Sequence, residues 1–355
     1  MATGRETLRL TRTLRTDIGA LADRAVRSLT TAWGKAWRRP ARAVRRAVTD
    51  IVALATKLGR WPTPWEIARL ATVSTALIRA ETELLGLAQR TGAVAADAAA
   101  NAITATVTAE PHILAAHLPR TERAAAAKTF DRVTDSAVEM MVRRTRDRIV
   151  ARSWPLSDAA VLAMRRELVR GVATDSGPRE AARRMVDAVG GAFNGGLARA
   201  VTIAQTEILD AHRAAARAVH MANGDVLVGW RWQSDLSARS CVACWSMHGR
   251  LFPVDAPGPE GHPGCRCVRA AVLRPWAELG IQLDEPADVF PDAEARFNSL
   301  TAADQLAVLG PARLDLYRSG RIVWADLATR RDSRDWRPSY IPTPLADLRR
   351  RAPAA

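Results

Sequence analysis

The sequence predicts a mainly α fold: an elongated helical N-terminal region, a small α+β zinc-type module and a helical C-terminal tail. Three observations carry that prediction. Residues 1–222 place apolar side chains at helical spacing and show almost no strand signal. The pattern turns to alternation at 226–232 and again at 267–273. All four cysteines, Cys241, Cys244, Cys265 and Cys267, are confined to the stretch that these two runs bound.

With 355 residues, 48% hydrophobic and 25% charged, the chain can bury about two cores and is not a disordered tail. A formal charge of +15 excludes an acidic solvating protein and raises the question of an anionic partner, whether nucleic acid, a membrane surface or an acidic protein. Only three of the 52 basic residues are lysines, Lys35, Lys57 and Lys128. Such an Arg- and Ala-heavy composition is what GC-rich codon usage gives, so part of the charge is codon-derived. No apolar run near the start has the form of a secretory signal. The least charged stretch, 91–109, is interrupted by Asp97 and Asn101 and is too polar to span a membrane.

Residues 1–50 form the first segment, a basic helical arm with twelve basic against four acidic side chains. Arg38, Arg39, Arg42, Arg45 and Arg46 concentrate that charge, with Trp33 and Trp37 four residues apart just before them. Two readings stand: a surface that docks on phosphates or an acidic partner, or an amphipathic helix with a solvated arginine face. The second segment, 51–120, is a long-helix region. Thr63 followed by Pro64 is an N-cap with proline at N1, and the helix from Trp65 is expected to end at Glu110-Pro111-His112.

Residues 121–273 form the third segment. Its helices are expected in short pieces: one capped by Ser157 and running to about Gly171, and one opened by Ser176-Gly177-Pro178 and closed at Gly190-Gly191. A third, over 196–222, carries Val201, Ala204, Ile208, Ala211, Ala215 and Val219 on one stripe and stops at Asn223-Gly224. The strand-bearing module occupies 225–273. In the last segment, 274–355, short helices return, with Thr301 and Asp304 in a capping-box arrangement and Gly310-Pro311 between two helices.

The chemistry lies in Cys241-x-x-Cys244, seventeen intervening residues, and His262-Pro263-Gly264-Cys265-Arg266-Cys267. Two such turns, held face to face by the flanking strands, supply a tetrahedral N/S set for zinc. Cys267, on a strand, is expected to point away from Cys265; it either replaces His262 as fourth ligand or stays free, and His248 is a spare donor. Disulfides, a redox pair or thiols that only pack are the other readings. Four good ligands leave no open position for water, so zinc here is structural rather than catalytic. A His-metal nuclease would have only Asp255, Glu260 and His262 nearby, and no other catalytic motif occurs.

These residues resemble a known family. Cys241-Val242-Ala243-Cys244, Gly249-Arg250-Leu251-Phe252 and His262-Pro263-Gly264-Cys265-Arg266-Cys267 are similar to the Cys-x-x-Cys, Gly-x-x-Phe and His-Pro-Asn-Cys-Arg-Cys steps of the phage head-morphogenesis family, the Mu F-like minor head proteins. Upstream, 176–182 resembles the family's small-Pro-Arg-Glu-Ala-Ala helix start, and 199–207 its Arg-Ala-x-x-Ile-Ala-Arg-Thr-Glu signature. Downstream, Leu309-Gly310-Pro311 and Tyr317-Arg318-Ser319-Gly320 are similar to the tail that often succeeds the cysteine module in those proteins. The resemblance covers about 155–330. Gly264 stands where asparagine is usual, which keeps positive φ accessible, Gln205 stands where arginine is usual, and Asp235 lies further from Arg239 than the family's acidic residue. Thr206-Glu207 is either a contact site or a helix-surface pair that orients the cysteine module.

The resemblance implies a non-catalytic minor capsid protein of a tailed bacteriophage that acts in procapsid assembly. It implies association with the portal and the capsid or scaffold interior, next to packaged DNA, first in the host cytoplasm and then in the virion head. The arginines of 38–46 are then the candidate portal or non-specific DNA contact, with no membrane partner. The alternative is a basic zinc-stabilised nucleic-acid-binding protein, and behind it the nuclease.

Overall fold

The computed structural model describes residues 3–131, 133–153, 156–170, 178–237, 240–332 and 337–351. Thirteen α-helices and five strands are set out among them, helix dominating as the hydropathy period requires. The chain divides into two compact units, one of Met1–Ala20, Ala100–Met141 and Leu209–Ala355, the other of Leu21–Ala99 and Val142–Ile208.

The unit of 21–99 and 142–208 is all helix. It draws on α1 (Arg5–Ala36), α2 (Arg38–Leu58), α3 (Pro64–Ala68), α4 (Ala71–Ala115), α6 (Asp135–Ser153), α7 (Leu156–Arg170) and α8 (Pro178–Ala222). Its core gathers Trp33, Val44, Ile51, Leu84, Met164, Val189 and Phe193. Thr63 caps α3 with a full capping box: its hydroxyl accepts from the Glu66 N–H while the Glu66 carboxylate accepts from the Thr63 N–H.

Two expected helix ends are absent. Instead of closing at Gly190-Gly191, α8 runs unbroken for 45 residues. A Cβ at Gly190 would stand 3.2 Å from the Trp37 ring, and one at Gly196 would stand 3.0 Å from Trp33. These glycines admit the two indoles against the helix, and Trp33 and Trp37 pack on Phe193 at 6.3 and 4.9 Å between ring centroids. The short pieces expected over 121–222 therefore include one very long helix. Likewise α4 continues through Pro111 to Ala115. The lost N–H lies in the last turns, where Ile113, Leu114 and Ala115 are buried and Glu110 is tied to His220 at 3.2 Å. The break comes instead at Arg69 and Leu70, between α3 and α4. The Ser176-Gly177 helix start and Arg239 lie outside the described residues, and Ser157 falls within α7.

The other unit holds α5 (Arg123–Thr129) and the sheets. β1 (Leu227–Gln233), β2 (Leu251–Phe252) and β3 (Val268–Leu273) form an antiparallel sheet in the order β2-β1-β3, close to the expected strands. Arg231 pairs with Leu251 and Ala270, and Gln233 with Val268. Gly229 sits where a Cβ would collide with the Phe252 carbonyl, so only glycine lets β2 close on β1. The 274–355 segment is not purely helical. Besides α10 (Ala293–Asn298), α11 (Ala302–Leu309), α12 (Pro311–Arg318) and α13 (Leu345–Arg351), it contains a 3-10 turn at Trp324–Leu327 and a hairpin of β4 (Ala328–Arg331) and β5 (Ser339–Pro342). Thr301 caps α11 through the Asp304 N–H, and Gly310-Pro311 separates α11 from α12, as the sequence indicates. No helix among the described residues is long and apolar enough to cross a membrane.

Candidate metal centre

The register of the three-stranded sheet builds the site. Because Gln233 pairs with Val268, the end of β1 and the start of β3 lie side by side, and the chain leaving one and entering the other turns at the same end of the sheet. After β1 comes Cys241, the N-cap of α9 (Val242–Met247), whose Sγ accepts from the Cys244 N–H at 3.4 Å. Before β3 come His262, Cys265 and Cys267. Gly264 adopts φ +70°, the left-handed conformation that this turn needs. At Gly261 a Cβ would collide with the Cys265 sulfur, so the loop approaches the thiol as closely as bare backbone permits.

Five donors converge. Cys241, Cys244 and His262 form one group, and Cys244, Cys265 and Cys267 a second, with the ligand atoms of each group within 4.8 Å of one another. Cys244 Sγ lies 3.4 Å from Cys241 Sγ, 3.7 Å from Cys265 Sγ and 3.8 Å from His262 Nε2. His262 Nδ1–H donates to the Pro263 carbonyl at 2.8 Å, which turns Nε2 toward the thiols. All four cysteines are free thiols, the sulfurs of Cys241 and Cys244 standing 3.4 Å apart against about 2.05 Å in a disulfide. These residues can hold a metal ion.

Cys267 corrects one expectation. It precedes β3, which begins at Val268, so strand alternation does not govern it, and its thiol joins those of Cys244 and Cys265 instead of pointing away. His248 is not a spare donor. It is buried, accepts from the Ser234 N–H at Nδ1 (2.9 Å) and reaches the Pro291 carbonyl through Nε2 (3.1 Å).

The donors share protons unevenly. Cys241 is drawn down to about 5, chiefly by its hydrogen bond with Cys244, and His262 is pushed up to about 9, chiefly by its hydrogen bond with Cys241. Cys265 is lowered, first through Cys244, while Cys244 is raised, first through Cys241. For Cys267 the contact with Cys244 pulls down, but Cys265 and burial outweigh it and the thiol is raised.

Sequence reading missed the supports. Arg213 of α8 is buried and donates to the carbonyls of Cys265 and Cys267, while Asp210 accepts from it at 2.8 Å. The three-residue spacing of Asp210 and Arg213 was the visible signal. Thr206-Glu207 is not a helix-surface pair: Glu207 is buried between Arg148 and Arg152, and the Thr206 hydroxyl donates to the Thr202 carbonyl. Arg269 of β3 lies over Trp230 at 4.4 Å and donates to the carbonyls of Val254 and Ala256, shaping the loop before the second turn. The β4–β5 hairpin covers the module, with Tyr340 edge-on to Trp232 at 5.7 Å.

The arginines singled out in the sequence, Arg38, Arg39, Arg42, Arg45 and Arg46, all lie exposed on α2.

Residues 163–270 match the family model described as phage Mu protein F like protein. This stretch is Mu F-like. The match supports the phage head-morphogenesis assignment and covers all of α8 together with both cysteine turns. The Mu F-like match ends at Ala270, within β3, so the likeness seen at 309–320 is not part of it. No curated protein and no solved structure matches the chain.

Proposed function

We propose that the chain is a minor head protein of a tailed bacteriophage that acts in procapsid assembly beside the portal and the head interior, with its cysteine module held by one structural zinc. The Mu F-like match over the helix and both cysteine turns carries the first part. The head role places the protein in the host cytoplasm during assembly and afterwards in the virion head. The second part rests on donor chemistry. Zinc–sulfur bonds of ~2.3 Å put tetrahedral neighbours about 3.8 Å apart, and the donor separations around Cys244 run from 3.4 to 3.8 Å. Cys241, Cys244 and Cys265 are three of the ligands, with His262 or Cys267 as the fourth. A site filled by four protein donors has no position for a reacting water, so the zinc supplies folding energy and no catalysis.

Co-expression with the portal protein of the same genome, followed by co-purification at moderate salt, tests the head role; a stable complex is expected, and its absence refutes portal association. Metal analysis should give about one zinc per chain.

The alternative, a zinc-stabilised nucleic-acid-binding protein, is favoured by the exposed arginines of α2 and predicts duplex binding with no portal complex. The nuclease reading finds little support in the geometry, since His262 faces the thiols and Glu260 is engaged by Arg330 at 3.3 Å.

A further inference from the structure

A groove of about 400 Å³ between α2 and α4 is lined by Arg39, Arg42, Arg46, Arg79, Thr82 and Glu83. Arg39, Arg42 and Arg46 stand at i, i+3 and i+7 on one side of α2. Arg79, which no motif marks in the sequence, is brought opposite them by the helix pairing. Four guanidiniums thus face one carboxylate. Glu83 reaches Arg39 at 3.5 Å, and Arg42, Arg46 and Arg79 make no ion pair among the described residues. Four exposed guanidiniums around one groove present a local positive potential that attracts a polyanion.

We propose that this groove binds the phosphodiester backbone of nucleic acid, with Arg42, Arg46 and Arg79 as phosphate contacts; the choice of DNA as the polyanion at hand rests on the head-interior reading above. Guanidinium forks stay charged and match phosphate oxygens two at a time. Arg39 to Arg46 spans about 10 Å of helix, enough to follow several charges of one strand spaced ~3.4 Å apart along the axis. Contacts of this kind position a duplex without reading bases, so binding is independent of sequence. A membrane surface fits less well. An interfacial helix inserts an apolar face, and on α2 that face, with Val44, Ala47, Val48 and Ile51, is buried in the core.

The test is binding of the full chain to a mixed-sequence DNA duplex over a salt series. The Arg42→Ala/Arg46→Ala/Arg79→Ala variant is compared with Arg143→Ala/Arg144→Ala/Arg166→Ala, which removes equal charge from exposed positions of the same unit. The groove variant should lose at least tenfold in affinity and flatten the log–log salt slope by about 0.9 per phosphate released, with an unchanged thermal melt, while the control stays within twofold of wild type. Equal losses in both variants would show bulk charge alone and overturn the proposal. So would groove-dependent binding to phosphatidylglycerol-containing vesicles without duplex binding. A portal complex that survives in wild-type protein unable to bind duplex would overturn this inference and leave the head role standing.

Discussion

Arg213 donates from Nε to the backbone carbonyl of Cys267 at 3.0 Å, fastening the long helix α8 to the strand-entering turn of the cysteine module. Its other nitrogens reach the Cys265 carbonyl and Asp210, and Asp210 also receives Arg337 at 2.6 Å. Burial works against the charge on Arg213, but Cys265, Asp210 and Cys267 together keep it firmly protonated.

Breaking that buried set should be costly. Arg213→Ala is expected to destabilise the protein by about 3–5 kcal/mol, the usual consequence of removing one partner of a buried ion pair. Arg213→Lys keeps the charge but not the fork, and should fall between. Urea midpoints together with metal content after dialysis check both; an alanine variant as stable as wild type would show that the clamp is unimportant.

Cys244 belongs to both donor groups, whereas His262 and Cys267 each belong to one. Cys244→Ser should therefore lose zinc outright, and His262→Ala or Cys267→Ser should retain more of it. Zinc retention should fall as pH drops, because protons compete for the same thiolates and for an imidazole drawn up to about 9. Metal content of the variants between pH 5 and 8 decides this, and pH-independent retention would contradict it.

Acid should destabilise the fold through two buried imidazoles. Thr106 donates to the Ala102 carbonyl, so it accepts from His212 Nδ1–H, and His212 Nε2 is left buried without a partner. Burial lowers His212 to about 3 and His248 to about 4. Both bind protons more readily unfolded, at about 6.5, than folded. Their contribution is thus complete above about 6.5 and is lost as pH falls toward 4 and 3, at up to ~1.4 kcal/mol per pH unit for each. Chemical denaturation from pH 7 to pH 4.5 should show that slope, and His212→Gln should make it shallower.

The glycines of α8 should split into two classes. At Gly191 and Gly195 a Cβ meets nothing within 4 Å, so alanine there should stabilise by roughly 0.5–1 kcal/mol through helix propensity. At Gly196 the same methyl presses on Trp33 at 3.0 Å, and alanine should destabilise instead. Thermal melts of the three variants suffice, and uniform stabilisation would show that the indole contact yields without cost.

Much of the architecture was legible along the chain because local rules dominate there. The cap at Thr63, the stop at Asn223-Gly224, the two long strands and the two cysteine turns each depend on residues a few positions apart. Helix ends inside the large units were not legible, since Gly190 and Pro111 read locally as terminators while their actual role is set by partners far away in sequence. The β4–β5 hairpin was missed for a related reason: four-residue strands with mixed polarity carry almost no alternation, and Tyr340 gains its place only by packing on Trp232.

A mostly helical chain, a metal-type donor set confined to 27 residues and a cluster of arginines at 38–46 follow from the residues alone, because spacing and residue chemistry are properties of the chain. Three features came from packing instead: Cys267 converges with the other thiols, Arg213 clamps their backbone and Arg79 joins the α2 arginines. Each depends on strand register or helix pairing, which bring together side chains that no local periodicity relates.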